Sequence, residues 1–211
     1  NIILSGVNET RIEHQNVLSN PLLLDKSGDL LKYDKVIANY PFSQNWNEKD
    51  YASKDNWNRF KFGIPSKKKR ADYAFIQHMH SILNDTGKAA IISSSGTLFR
   101  EKGEREIRKA LIETDHVECI IALPDNLFYA TGIPACIILL NKNKPKKRSK
   151  KILFVYAAKD YDDLTKRDKL RDSDIKKIES TIKEFKNIEK YCYVADEEDI
   201  KENDYNLNVS R

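Results

Sequence analysis

Cysteine is scarce: Cys119, Cys136 and Cys192 are the only three in 211 residues, and no two form a C-x-x-C pair. An odd count at wide spacing indicates neither a disulfide framework nor a cysteine zinc site, and favours a reducing, cytoplasmic setting. Long apolar runs are missing as well. Stretches such as residues 135–140 fall far short of the roughly 20 residues that a membrane span needs. No basic-then-apolar signal segment opens the chain, so a soluble protein with no membrane partner is expected. Nor is there a large excess of either charge. The 37 Lys and Arg against 32 Asp and Glu leave a net charge of +5, a surplus that matters only where it is clustered. Methionine occurs once, as Met79, and the first residue is Asn1, so further residues upstream are expected.

What is present describes a globular protein. Hydrophobic residues make up 40%, aromatic residues 9% and charged residues 33%, a balance that intrinsic disorder does not show. A chain of this length fits one α/β domain, or one domain plus an appendage, and buries a real core without disulfide or metal staples. There is no internal repeat. The low-complexity stretches are two basic runs, Lys67-Lys68-Lys69-Arg70 and residues 142–151, the second with seven Lys or Arg in ten residues.

Alternation over residues 11–15 predicts a short strand, and residues 33–38, with β-branched Val36 and Ile37, a second that runs into Asn39-Tyr40-Pro41-Phe42. Residues 43–65 have no period and carry Trp46, Tyr51, Trp57, Phe60 and Phe62, as a long functional or disordered loop would. Ala71, Phe75, Met79 and Leu83 at four-residue steps predict a helix over residues 71–83, stopped by Gly87. Residues 88–93 read as a buried strand, 104–114 as an amphipathic helix, and 117–123 and 133–140 as apolar strands. Strand, helix, strand implies parallel pairing, whereas the last two strands are joined by too few residues for a crossover helix and should pair antiparallel. Residues 152–156 suggest one more strand, and Ile175, Ile178, Ile182, Phe185 and Ile188 an amphipathic helix. A soft boundary near residue 157 then separates residues 1–156 from a charged, mainly helical region, residues 157–211.

In an open parallel sheet, ligands bind beyond the carboxyl ends of the strands, and Asn39 occupies that position. Its carboxamide offers an acceptor and two donors, Pro41 stiffens the backbone beside it, and Phe42 adds an aromatic face. An amide acceptor, a fixed carbonyl and a stacking ring suit a flipped nucleobase whose exocyclic amine must be held for reaction. The bland alternative, a strand-ending turn made of the usual turn residues, is equally compatible with those four residues taken alone.

The wider sequence favours the pocket. Residues 16–20, Tyr33-Asp34-Lys35-Val36-Ile37-Ala38-Asn39-Tyr40-Pro41-Phe42, residues 71–79, Gly96-Thr97-Leu98-Phe99-Arg100, residues 123–134 and Asp204-Tyr205-Asn206-Leu207-Asn208 together resemble the modification subunit of type I restriction-modification systems along almost the whole chain. That resemblance implies an α/β fold: the Rossmann-like class I S-adenosylmethionine-dependent methyltransferase sheet, truncated at its N-terminal side, with a terminal antiparallel strand pair and a helical C-terminal appendage. It implies methyl transfer from S-adenosylmethionine to the exocyclic amine of adenine in DNA. It also implies a complex with a specificity subunit, a second modification subunit and a restriction subunit.

On this resemblance Asn39 and the carbonyl of Tyr40 hold the target amine, Pro41 stiffens them, Phe42 stacks on the extruded adenine, and Phe99 adds a second stacking face. No general base is evident, which suits a mechanism of orientation and lone-pair localisation. Two departures stand out. The family signature is usually Asn-Pro-Pro-Phe or Asn-Pro-Pro-Tyr, and here Tyr40 takes the second place. The family's Gly-rich cofactor loop and following acidic residue do not occur between Asn1 and Asn39, where Gly6 and Gly28 stand alone. Asn16 is the one candidate for the cofactor's adenine edge, and the chain by itself is expected to be inactive.

Other signals read as structural. His78 and His80 lie two apart on a helix, pointing about 200° from one another, so they cannot share a metal. Glu197, Glu198 and Asp199 read as a solvated helix start, and no metal site is assigned. Lys67, Lys68, Lys69 and Arg70 flank the presumed pocket and are candidates for DNA phosphate contact, while residues 142–151 read as a solvated edge. The competing function is a non-catalytic assembly or DNA-binding scaffold for a specificity subunit.

Overall fold

The computed structural model describes residues 10–47, 51–65, 70–128, 132–160, 162–164 and 167–209. Its elements in chain order are β1 (Tyr33–Asn39), α1 (Asp72–Ser81), β2 (Leu83–Ser94), α2 (Gly103–Glu113), β3 (Val117–Ala122), β4 (Ala135–Asn141), β5 (Ile152–Tyr156), the short hairpin β6 (Asp162–Leu164) and β7 (Arg167–Lys169), α3 (Asp172–Glu184), β8 (Cys192–Ala195) and α4 (Glu197–Glu202). Six strands form one mixed, open sheet in the order β1-β2-β4-β3-β5-β8.

The sheet follows from the composition of its strands. In β1 the residues alternate, Val36 and Ala38 facing the core while Ile37 is 87% exposed, as fits an outer strand. In β3 and β4 the apolar run is nearly continuous, and Cys119, Ile120, Ile121, Cys136 and Leu140 are all buried. Strands covered on both faces lose the alternation. β3 and β4 pair antiparallel, as their short connection requires. The expected β2-α2-β3 unit does run parallel, but the two strands are not neighbours: β4 lies between them, antiparallel to both. Only an interior place buries both faces of Ala135–Asn141.

Three local expectations change. Among the described residues, 10–16 form no strand; alternation supplies a face but no ladder partner, and the segment is instead held by contacts such as Arg11 Nη2 donating to the Leu22 carbonyl at 2.9 Å. α1 ends at Ser81, six residues before Gly87, because the Tyr33 N–H takes the Ile82 carbonyl at 2.8 Å and draws the chain directly into β2. Gly87 therefore sits inside β2, where a Cβ would come within 2.9 Å of the Tyr33 carbonyl oxygen. The region after residue 157 supplies α3 and α4, and it also supplies β8, which pairs with β5 at the sheet edge.

α1 is more enclosed than its one-sided pattern suggests. Tyr73, Ala74, Phe75, Ile76, Gln77, His78 and His80 are all buried, because residues 51–65, with Trp46, fold across its outer side. Gln77 fastens that loop, donating from Nε2 to the Gly63 carbonyl (2.9 Å) and accepting from the Phe62 N–H (3.1 Å). Trp46 and Phe60 are buried in the same layer, and the Trp57 indole donates to the Gly28 carbonyl at 2.9 Å. These aromatics anchor the loop. His78 and His80 are packing residues, and His80 Nε2 meets His116 Nδ1 at 2.8 Å.

Candidate functional site

β1 and β2 run parallel with Asn39 opposite Ile92, so both strands deliver their carboxyl ends to the same side of the sheet. There a cavity of about 520 Å³ opens, lined by Gln15, Asn16, Val17, Ile37, Ala38, Asn39, Tyr40, Pro41, Gln44, Phe75 and Met79. The structure thus brings Asn16, Asn39, Tyr40 and Pro41 to one space, although Asn16 is separated from the other three by a turn and a strand. Its polar lining is made of carboxamides and backbone; no carboxylate or cation is among these residues.

Each wall has a reason. Asn39 is exposed as the last residue of β1, after the buried Ala38. Tyr40 turns inward and is 5% exposed, its ring stacked on Phe75 with centroids 4.9 Å apart and planes 11° apart. Phe75 and Met79 are one helical turn apart on α1 and present one face to the cavity. Asn16 closes an Asx turn, its Oδ1 accepting from the N–H groups of Leu18 (3.1 Å) and Ser19 (3.4 Å). That turn is held from behind by Arg59, itself 2% exposed. Arg59 donates to the carbonyls of Val17 (2.6 Å) and Leu18 (2.7 Å) while its Nε pairs with Asp55 at 2.6 Å.

The remaining predicted residues lie around this space. Phe42 is half-buried and meets the Tyr40 ring edge-on at 5.8 Å. Phe99 is 42% exposed and ends the 3₁₀ turn Ser95–Leu98 that leaves β2; it is not among the cavity-lining residues. Arg70 is exposed just before α1, and Lys67, Lys68 and Lys69 lie outside the described residues. Sequence reasoning missed Gln15, Gln44, Phe75 and Met79 as lining residues. The last two gave a signal, their four-residue spacing, that equally describes core.

Two buried polar atoms near the site, Asp72 Oδ1 and Ser94 Oγ, have no hydrogen-bond partner. Burial, with the Asp72 carboxylate nearby, raises the Tyr40 hydroxyl well above its ordinary range, so it keeps its proton.

Elsewhere the polar clusters are engaged in holding the fold. In residues 142–151, Lys142 donates to the Leu83 carbonyl, Lys144 pairs with Asp115 at 2.5 Å and Arg148 with Glu118 at 3.0 Å. Glu197 sits between Lys150 and Lys201, and Asp196 caps α4. Among the described residues no group of three or more His, Cys, Asp or Glu could hold a metal ion, and no helix is long and apolar enough to cross a membrane.

The family model for N-6 DNA methylases matches residues 1–211. The type I restriction enzyme MjaVIII methylase subunit of Methanocaldococcus jannaschii is 37% identical over 220 residues, covering 100% of this chain and 38% of that protein. The type I restriction enzyme HindI methylase subunit of Haemophilus influenzae is 38% identical over 191 residues, covering 85% of this chain and 41% of that protein. Among solved structures, the methyltransferase subunit of a type I restriction-modification system from Streptococcus thermophilus superposes with a TM-score of 0.86 at 33% identity, over 99% of this chain and 43% of that one. The chain therefore spans about two fifths of the length of these relatives. The expected methyltransferase sheet is the one found, and with a family match over its full length this chain belongs to the N-6 DNA methylases.

Proposed function

We propose that this chain carries the target-base half of a type I DNA adenine methyltransferase. The reaction is transfer of a methyl group from S-adenosylmethionine to the exocyclic amine of adenine. The observation that carries this reading is that Asn39, Tyr40 and Pro41, at the carboxyl end of β1, line a cavity large enough for a nucleoside, with Phe42, outside the lining, packed against Tyr40.

Asn39 Oδ1 and the Tyr40 carbonyl accept the two N–H bonds of the adenine amine. Holding both hydrogens there bends the amine out of the ring plane, withdraws its lone pair from conjugation and aims it at the methyl donor. Phe42 stacks on the extruded base, with Phe99 on the neighbouring turn as a second face. Attack by the lone pair would form the new C–N bond as the S–CH3 bond of the sulfonium breaks, S-adenosylhomocysteine being the leaving group. The methylated amine would then lose one proton to water, since no carboxylate or imidazole lines the cavity. S-adenosylmethionine, when bound, supplies an electrophilic methyl group. Its nucleoside end fits the carboxamide and apolar lining: Asn16, whose Oδ1 is committed to its own turn, offers Nδ2 to the adenine edge. Glycine occurs only as Gly6 and Gly28 before Asn39, so a Gly-rich cofactor loop is not supplied by these residues, and the 211 residues alone are expected to be inactive.

The proposed partners are DNA, a specificity subunit, a second modification subunit and a restriction subunit, in the cytoplasm. Arg70, with Lys67, Lys68 and Lys69, is assigned to the DNA backbone. The test is Asn39→Ala in the full-length protein assembled with its specificity subunit. Methylation of target DNA is expected to fall by a factor of about 100 or more, the usual cost of removing one preorganised polar group from a reacting centre, while assembly is unchanged. Normal methylation by this variant would leave only the scaffold function.

A further inference from the structure

The second tetrad position is proposed to present its backbone carbonyl to the target amine, and a proline there would hold that carbonyl by fixing φ. Tyr40 has no such ring constraint. Its side chain, however, is tied into the interior through a run of hydroxyls. Tyr40 Oη lies 2.5 Å from Ser93 Oγ, Ser93 Oγ lies 3.1 Å from Thr97 Oγ1, and Thr97 Oγ1 donates to the Ser94 carbonyl at 2.8 Å. Ser93 and Thr97 are 0% exposed.

The proton count gives this run a direction. A hydroxyl has one hydrogen to donate. Thr97 gives its hydrogen to the Ser94 carbonyl, so it accepts from Ser93, and Ser93 in turn accepts from Tyr40. The Tyr40 hydroxyl keeps its proton because burial disfavours the phenolate. The far end of the run is itself fixed: the Tyr73 hydroxyl donates to the Thr97 carbonyl at 2.7 Å, and the Ser95 N–H to the Pro134 carbonyl at 2.8 Å. Thr97 belongs to the 3₁₀ turn that ends at Phe99. The two segments assigned to either side of the base are therefore linked through three buried side chains, across 53 positions of sequence.

From this we infer that the Tyr40 side chain is a positioning group that replaces proline's covalent stiffness with a hydrogen-bonded hydroxyl relay, holding the Tyr40 carbonyl and the Phe99 turn in one fixed relation. This rests on the proposed function above and adds a role for Tyr40, Ser93 and Thr97 that involves no contact with substrate beyond the Tyr40 carbonyl. Stacking on Phe75 restrains the ring in its plane, and the hydroxyl restrains it along its axis.

The experiment measures methyl transfer by the full-length protein with its specificity subunit, well below the melting temperature and normalised to folded protein. Tyr40→Phe and Ser93→Ala are each expected to lower kcat about tenfold, the effect of one lost buried hydrogen bond realised at the reacting centre, with KM for the cofactor unchanged within about twofold. Tyr40→Phe combined with Ser93→Ala should be no slower than the slower single variant. Thr97→Val should lose rate, whereas Thr97→Ser, which keeps the hydroxyl, recovers it. Ile91→Val, a core change in the same strand, should cost stability without changing kcat. If Tyr40→Phe proves too unstable to assay, Ser93→Ala and the Thr97 pair carry the test, since they leave the aromatic packing alone.

Full kcat in Tyr40→Phe, or additive losses in the double variant, would overturn the relay while leaving the methyltransferase reading intact, provided Asn39→Ala is inactive. Full activity of Asn39→Ala would overturn both.

Discussion

The two ends of β1 and β2 are built on opposite plans. At the amino end the polar side chains bind other parts of the protein, Arg148 Nε excepted, which is buried without a partner. Lys32 donates to the Ser81 carbonyl, Lys142 to the Leu83 carbonyl, Tyr33 N–H to the Ile82 carbonyl, and His80 meets His116. At the carboxyl end the carboxamides of Asn16 and Asn39 line a cavity, and buried Asp72 Oδ1 and Ser94 Oγ have no partner. Unpaired buried polar atoms cost stability; at the amino end Arg148 Nε belongs to a guanidinium otherwise bound to Glu118 and the Lys183 carbonyl, whereas at the carboxyl end the unpaired atoms accompany an open cavity. Within the sequence's most conspicuous run of charges, residues 142–151, Lys142, Lys144 and Arg148 hold this far end together.

Three changes should tell the two ends apart, with effects from large to small. Arg59 joins the packed interior to the cavity wall, and removing its guanidinium leaves the Asp55 side chain, itself 4% exposed, without its cationic partner. Arg59→Met is expected to cost about 3–5 kcal/mol in denaturant unfolding. A loss below about 1 kcal/mol would mean that the turn at Asn16 holds itself.

A middle-sized effect belongs to the closed end. Burial, reinforced by the Lys142 charge, lowers His80 from 6.5 to about 3, and burial, with Arg59 beside it, lowers His78 likewise to about 3. Both are neutral in the folded protein at pH values where the unfolded chain is protonated. Stability from these groups is complete above pH 6.5, falls as pH drops below it, and is fully lost near pH 3. Denaturant melts across that window should show the decline, and His80→Gln should make it shallower. A profile flat from pH 7 to 5 would show that the histidines are solvated.

Arg70, exposed at the open end, should give the smallest effect. Arg70→Ala is expected to leave the melting temperature unchanged and to reduce the slope of log affinity for DNA against log salt by about 1. An unchanged slope would remove Arg70 from the DNA interface.

Much of this architecture was legible beforehand. Tyr33–Asn39 and Val117–Ala122 carry β-branched or continuous apolar residues, in runs of strand length that suit a pleated, buried surface. Gly103–Glu113 follows from a 3.6-residue repeat that places Ile107 and Leu111 in the core. The strand predicted at residues 11–15 failed because alternation describes a face and says nothing about a neighbour. Gly87 misled because the same residue type that ends helices also admits a close strand, here the Tyr33 carbonyl. The aromatics of residues 43–65 offered two roles, and only the cover they give α1 chose between them.

By itself the sequence determined the periodic elements, the place of Asn39-Tyr40-Pro41-Phe42 at the end of a strand, and membership of a methylase family. Those properties reside in neighbouring residues or in motif order. The tertiary structure alone decided that β4 slips between β2 and β3, that Asn16 faces Asn39 across one cavity, and that the Tyr40 ring points inward to Ser93. Each joins residues distant in the chain, and such pairings are selected by burial and hydrogen-bond satisfaction over the whole fold, a competition that no local pattern records.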